Sequence, residues 1–303
     1  MLDIKAETEN RQTHTRISAQ ALSDLVHRIG GEGDHFLVVQ RVPDRPGCYV
    51  QTWHEHGGDY QLEYRDGVPE RHFRVAADSP ERVAGVMTRW ARREPEWDAG
   101  IAWESAGMPA DEPVPAIPAE IEEQLTERVR LALRCGYGTV KSLTELAEDY
   151  LVEDGVHPVT TAQARRLVER LWLERVDQQE QWTDVTDADR LEQAFARLDG
   201  SGITAREHFT CCRSCGLSEI HADGEKDARG FVFFHTQITE AAAGGHGFSL
   251  YYGGFDESEA TTVAIGREVA AALGAAGLTV KWDGSPDQAI EVTDLDWRKR
   301  LVG

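Results

Sequence analysis

A proline-dense stretch divides this chain of 303 residues. Between Met108 and Pro118 lie Pro109, Pro113, Pro115 and Pro118, set among small and acidic residues. Proline fixes φ and removes a backbone donor, so such a stretch resists helix and sheet and reads as a semi-rigid extended tether. Each side is long enough for its own core, because domains usually run about 100–200 residues. The expected division is a disordered leader over 1–15, a small α+β domain over 16–107, the linker over 108–118, and a helical segment plus a cysteine-containing α+β domain over 119–303. The leader is expected because Met1 to Thr15 is polar and mixed in charge.

Before the tether, Ile17, Leu22, Leu25, Val26 and Ile29 recur at helical spacing, with Ser18 placed to cap the start and Gly30-Gly31 to stop it. Strand-like runs follow over 35–42, 48–54, 60–64 and 71–75, separated by proline, glycine and aspartate turns. Asp66-Gly67 is a hairpin signal. Ser79-Pro80 then opens a helix whose apolar stripe is Val83, Val86, Met87 and Trp90. Helix, antiparallel meander, helix is an α+β order. His54 and His56 lie in a turn that offers no cysteine and no rigid third ligand, so they read as turn residues. This layout, with Cys48-Tyr49-Val50-Gln51 and then Leu62-Glu63-Tyr64, resembles small domains of the YbjN and type III secretion chaperone-like class. That resemblance implies a protein-binding role.

After the tether the spacing predicts helices over 121–133, 140–151, 161–181 and 187–198. Ser142 and Glu145 stand in the capping-box relation, and Thr186 or Asp187 should cap the fourth helix, with Asp189 in its first turn. Strands are expected over 203–210, 230–236, 248–252, 278–282 and 289–295, interrupted by a helix over 258–276. The fold class is therefore α+β, two domains, each a mainly antiparallel or mixed sheet packed with helices.

Three of the five cysteines fall at Cys211, Cys212 and Cys215. A Cys-x-x-Cys-Gly turn lets two thiolates converge on one ion and resembles half of a zinc knuckle. The other half is missing, since Cys48 and Cys135 are isolated. Further ligands would come from His208, His221, His235 or a carboxylate. The candidate metal set is Cys212, Cys215, His235 and His208, with zinc as the ion. Two other readings stay open: buried thiols serving as small hydrophobes, and a reactive thiol, Cys212 or Cys211, activated by His235. Strand alternation would put His235 and Gln237 on one face. For an enzyme, the candidate residues are Cys212, His235, Gln237, Glu240 and Asp187. The plainer alternatives are a core histidine bonded to backbone and aspartates that only cap a helix.

The formal net charge of −21 disfavours nucleic acid and anionic membranes and suits a basic protein partner. No apolar run approaches the roughly 20 residues that span a bilayer. No basic-then-apolar signal layout opens the chain, so a cytoplasmic location is expected. No dinucleotide or P-loop glycine pattern occurs. Oligomeric state is left open.

Gln181-Trp182, Thr186-Asp187-Ala188-Asp189-Arg190-Leu191, Phe209-Thr210-Cys211-Cys212, Cys215-Gly216, Phe231-Val232-Phe233-Phe234-His235 and Trp282-Asp283-Gly284-Ser285 together are similar to the signature of an uncharacterised family of actinobacterial domains of unknown function. The resemblance spans roughly residues 120 to 300 and implies no established activity. Ile238 stands where that pattern has an aspartate. The resulting expectation is a non-catalytic protein-binding module, immunity or chaperone-like, with a cysteine/histidine cluster suited to zinc. The alternative is a hydrolase using a Cys212/His235 thiol or a zinc centre.

Overall fold

The structure, a computed structural model, describes residues 1–224 and 226–302. The chain forms two compact units: residues 1–118 with 139–176 and the C-terminal end from Leu301, and residues 119–138 with 177–300.

The first unit is built on a seven-stranded antiparallel sheet. In chain order its strands are β1 (Ile4–Thr8), β2 (Thr13–Thr15), β3 (Phe36–Arg41), β4 (Cys48–Trp53), β5 (Tyr60–Asp66), β6 (His72–Ala77) and β7 (Glu104–Ser105). Across the sheet they run β2-β1-β3-β4-β5-β6-β7. Helices α1 (Ala19–Arg28) and α2 (Pro80–Ala91) are capped by Ser18 and Ser79, whose hydroxyls accept from Ala21 N–H and Arg82 N–H. Their apolar stripes, Leu22, Leu25 and Val26 on one and Val83, Val86, Met87 and Trp90 on the other, pack with Leu37, Val39, Val50 and Leu62 into one core.

Residues 1–15, expected as a disordered leader, instead supply two strands. Leu2, Ile4 and Ala6 alternate into the core, and β1 pairs antiparallel with both β2 and β3. Burying that face and joining a ladder on both sides outweighs the polar composition.

The proline-dense stretch forms neither helix nor strand. Gln163 Nε2 donates to the carbonyls of Pro115 and Ala116 at 3.1 and 3.3 Å. Gln163 lies on α5 (Thr161–Gln179), whose Trp172 indole donates to the Asp44 carbonyl at 2.7 Å. Residues 139–176, which hold α4 (Val140–Asp149) and most of α5, thus belong to the first unit. Thr139, not Ser142, caps α4, with Ser142 as its reciprocal partner in the capping box. The box therefore sits one turn earlier than expected.

The second unit holds α3 (Ala119–Cys135), α6 (Asp187–Gly200), β8 (Ile203–Arg206), α7 (Arg213–Asp223), β9 (Gly230–Phe233), α8 (Thr236–Ala243), β10 (Phe248–Gly254), α9 (Glu259–Ala275), β11 (Thr279–Lys281) and β12 (Ile290–Thr293). Its sheet runs β11-β12-β10-β9-β8 and is mixed: β8 and β9 are parallel, and the other pairs are antiparallel. Thr186 caps α6 in a capping box with Asp189, as its spacing predicts.

All four residues of β9 are buried. Val232 joins the core shared with α6 and α9, while Phe231 and Phe233 join Ile220 of α7 in a second cluster. Two expected strands are shorter than their apolar runs. β8 stops at Arg206 and β9 at Phe233, and a helix starts soon after each. His235 is therefore the N-cap of α8 rather than a strand residue, and Gln237 lies in that helix's first turn and is exposed.

α7 approaches the sheet at Gly216, where an added Cβ would lie 2.3 Å from the ring of the fully buried Phe233. The glycine after the second cysteine of the Cys-x-x-Cys turn thus serves close packing.

Two substitutions test this packing. Ile4→Ala should lower stability by about 2–5 kcal/mol in urea unfolding, the usual cost of truncating a buried aliphatic residue; an unchanged midpoint would be the contrary result. Gly216→Ala should cost about 1–3 kcal/mol, because an overpacked contact outweighs the gain in helix propensity.

Candidate metal centre

The loop between β8 and α7 carries unusual backbone. His208 and Thr210 have φ of 51° and 58°, in the left-handed region that non-glycine residues rarely occupy. Each such residue costs on the order of 1 kcal/mol and persists only where its surroundings enforce it. Here the loop is laced to the β9–α8 junction. Phe209 N–H donates to the Phe234 carbonyl at 2.8 Å, and the amide and hydroxyl of Thr236 donate to the Thr210 carbonyl at 3.1 and 2.8 Å. Thr210 Oγ1 donates onward to the Cys212 carbonyl at 3.2 Å.

Cys212 takes the N-cap position of α7, which places Cys215 as the third residue of the helix and Cys211 just outside it. All three sulfurs lie within 4.8 Å of one another, and Cys211 Sγ is 3.4 Å from Cys215 Sγ. All are free thiols; Cys211 is exposed and the other two are half-buried. Among the described residues this is the only group of three or more histidine, cysteine or acidic side chains with such convergent donor atoms.

The cluster is electrostatically uneven. The Cys212 sulfur makes no side-chain cap bond of full geometry. The backbone N–H of Cys215, followed by the Cys215 and Cys211 thiols and the Ser214 N–H, still holds its thiol below the ordinary cysteine range. This is the expected influence of a helix N-terminus on a thiolate. Cys215 is pushed up to about 12, because hydrogen bonds with Cys211 and then Cys212, and the negative charge of those two sulfurs, oppose its own ionisation.

The sequence-derived metal set is only partly assembled. Cys212 and Cys215 converge, joined by Cys211, but no ring nitrogen of His208 or His235 belongs to the group. His235 is 4% exposed, stacks on Tyr251 with centroids 5.6 Å apart, and has a buried Nδ1 without a hydrogen-bond partner. Burial lowers its pKa and favours the neutral ring. The Arg213 guanidinium lies 4.9 Å from the same Tyr251 ring. The Tyr251 ring therefore links the first residue of α7 to the cap of α8.

His208 is engaged elsewhere. It stacks on Tyr137 at 4.4 Å and shares a 2.9 Å hydrogen bond with Thr239 Oγ1, and burial lowers its pKa. His221 packs against the rings of Phe231 and Phe255.

The acidic candidates are bound into structure. Glu240 pairs with Arg128 at 2.7 Å. Asp187 pairs with Arg190 at 2.7 Å and accepts the Asp296 N–H at 2.9 Å.

A polar chain missed in the sequence supports the same loop. Lys299, 8% exposed, donates to Glu192 at 2.8 Å and Glu207 at 3.0 Å, and Tyr137 Oη donates to Glu207 at 2.6 Å. Burial opposes the lysine charge, but the two carboxylates outweigh it and raise the Lys299 pKa. Burial and Glu207 push the Tyr137 phenol far up. Neither spacing nor residue type marked Tyr137, Glu207 and Lys299 as neighbours, because they come from three separate segments.

Residues 118–301 match the model of a family described as a domain of unknown function (DUF6891). No curated protein and no solved structure matches the chain.

The thiols should alkylate in a fixed order. Only the thiolate reacts, so Cys212, lowered by its N–H neighbours, should label at a lower pH than Cys135, which burial raises to about 11. Peptide mapping after iodoacetamide pulses across pH would show this; equal midpoints would contradict it.

Proposed function

The chain belongs to the DUF6891 family, and we propose that it is a binding protein whose family domain holds one soft divalent cation, zinc, through Cys211, Cys212 and Cys215. The observation that carries this reading is the convergence of three free sulfurs within 4.8 Å. Thiolates bound to tetrahedral zinc at about 2.3 Å lie about 3.8 Å apart. The 3.4 Å spacing of Cys211 and Cys215 is within a few tenths of that value, while a disulfide needs about 2.05 Å. Three protein thiolates leave a fourth position for water or a ligand. The α7 N-terminus favours the anionic sulfurs that a cation requires. No helix among the described residues is long and apolar enough to cross a membrane. The net charge of −21 supports a basic protein as the partner, rather than nucleic acid.

A second reading, a thiol or zinc hydrolase, draws on two observations: the lowered Cys212 thiol and the neutral, unpartnered His235.

Metal analysis of the purified chain tests the zinc site. Zinc should bind at one ion per chain. Cys211→Ala, Cys212→Ala and Cys215→Ala should each weaken binding by at least about tenfold, the lower end of what even indirect ligand changes cost. His235→Ala should leave it unchanged. A stoichiometry near zero in the wild type would dismiss the metal reading, and loss of zinc on changing His235 would move that residue into the ligand set.

A further inference from the structure

We propose that the reduced, metal-free chain performs thiol–disulfide exchange, with Cys212 as the attacking sulfur and Cys215 as the resolving sulfur. The substrate class is a small or peptidyl disulfide able to reach the N-terminus of α7. The proposal does not rest on the zinc reading, since it concerns the same sulfurs with no ion between them.

The geometry comes from the helix. Cys212 is its N-cap and Cys215 its third residue, so both lie over the first turn. A disulfide needs Cβ atoms about 3.5–4.5 Å apart, closer than the roughly 5–6 Å of two helical residues three apart. Cys212, an N-cap residue with extended backbone, is not held to that helical spacing. Their sulfurs already lie within 4.8 Å and neither residue is buried. Cys211 Sγ also lies 3.4 Å from Cys215 Sγ, but Cys211 precedes the helix cap whereas Cys212 is the cap itself. The adjacent pair Cys211-Cys212 cannot bridge easily, and Cys48 and Cys135 stand outside the cluster. As the N-cap, Cys212 sits at the end of α7 where the first backbone N–H groups have no partner within the helix. Arg213, the first residue of the helix, is braced on Tyr251 with its guanidinium 4.9 Å from the ring. The close seat of α7 on Phe233, which Gly216 permits, fixes the turn that carries both sulfurs.

The electrons balance within the exchange. The Cys212 thiolate attacks one sulfur of the substrate disulfide. A Cys212–substrate disulfide forms, the substrate S–S bond breaks, and the departing thiolate takes a proton from water. Cys215 then loses its proton to solvent and attacks Cys212 Sγ. The Cys212–Cys215 bond forms and the second substrate thiolate leaves. The substrate gains two electrons and the cysteine pair loses two. A small dithiol restores the pair by the reverse steps.

The test uses the full chain, reduced, stripped by chelator and checked for zinc. After equilibration with oxidised and reduced glutathione, peptide mass mapping should find one disulfide, Cys212–Cys215, with Cys48 and Cys135 still thiols. The chain should accelerate the reduction of insulin disulfides by dithiothreitol about tenfold or more. Cys212→Ser should abolish the acceleration. Cys215→Ser should stop turnover and leave a glutathione adduct on Cys212. Cys48→Ser should change nothing, and circular dichroism would verify the fold of each variant. The wild-type disulfide map needs no substitution, so it decides the matter even if a variant misfolds. A disulfide elsewhere, or acceleration that survives loss of Cys212 or Cys215, would overturn the proposal. Exchange by a chain that binds no zinc supports this proposal and removes the metal reading alone; zinc binding without exchange does the reverse.

Discussion

The parallel register between β8 and β9 governs the second unit. Ile203 opposes Gly230 and Arg206 opposes Phe233, so both strands point the same way and both following loops leave at one edge of the sheet. Backbone bonds continue the pairing past the strands, from Phe209 to Phe234 and from Thr236 to Thr210. The starts of α7 and α8 are therefore brought to the same edge, with Cys212 capping one and His235 the other. An antiparallel pair would have sent them to opposite edges. The carboxyl ends of parallel strands are where open sheets commonly place their chemistry, because helix N-termini gather there.

That arrangement is held against resistance from the backbone. His208 and Thr210 stay left-handed although each costs on the order of 1 kcal/mol. The lacing hydrogen bonds contribute about 0.5–1.5 kcal/mol each and so offset that cost. The chain of buried Lys299 with half-buried Glu207 and Tyr137 adds a second restraint, because Glu207 is the first residue of that loop after β8. Removing one member would leave the others charged or unpaired in a buried setting, which is costlier than never having them.

Where the sequence was legible, the signal was periodic. Alternation and turns marked β3 to β6 closely, and Ser18, Ser79 and Thr186 cap the helices their positions suggested. β1 was hidden because its inward face is Ile4, Ala6 and Thr8, one large apolar residue, one small and one polar, with charged Lys5 and Glu7 between. α7 was hidden because it buries only Gly216 and Ile220, too few positions to write a helical stripe. α8 was hidden because the run of buried phenylalanines and valine carries a strand signal up to His235, and the helix that follows is only eight residues long. The sulfur cluster was half legible for the same reason. A strand reading of Ile203 to Thr210 put Cys211 and Cys212 on opposite faces, whereas a loop entering a helix N-terminus brings both to Cys215.

Three thiols this close cannot all ionise without help. Backbone N–H groups hold the Cys212 thiol low, and hydrogen bonds and charge interactions with the two neighbouring sulfurs push Cys215 up to about 12. Negative charge on one of these sulfurs raises the cost of placing it on the next. Two chemical changes relieve the repulsion. A soft cation neutralises the sulfurs together, and a disulfide removes two of them from the titration. The 3.4 Å between the Cys211 and Cys215 sulfurs is wider than a sulfur–sulfur bond and close to that of sulfurs sharing an ion. None of the three sulfurs is buried as a small hydrophobe would be: Cys211 is exposed and Cys212 and Cys215 are half-buried at a helix start, where the N–H groups beside Cys212 favour its anion.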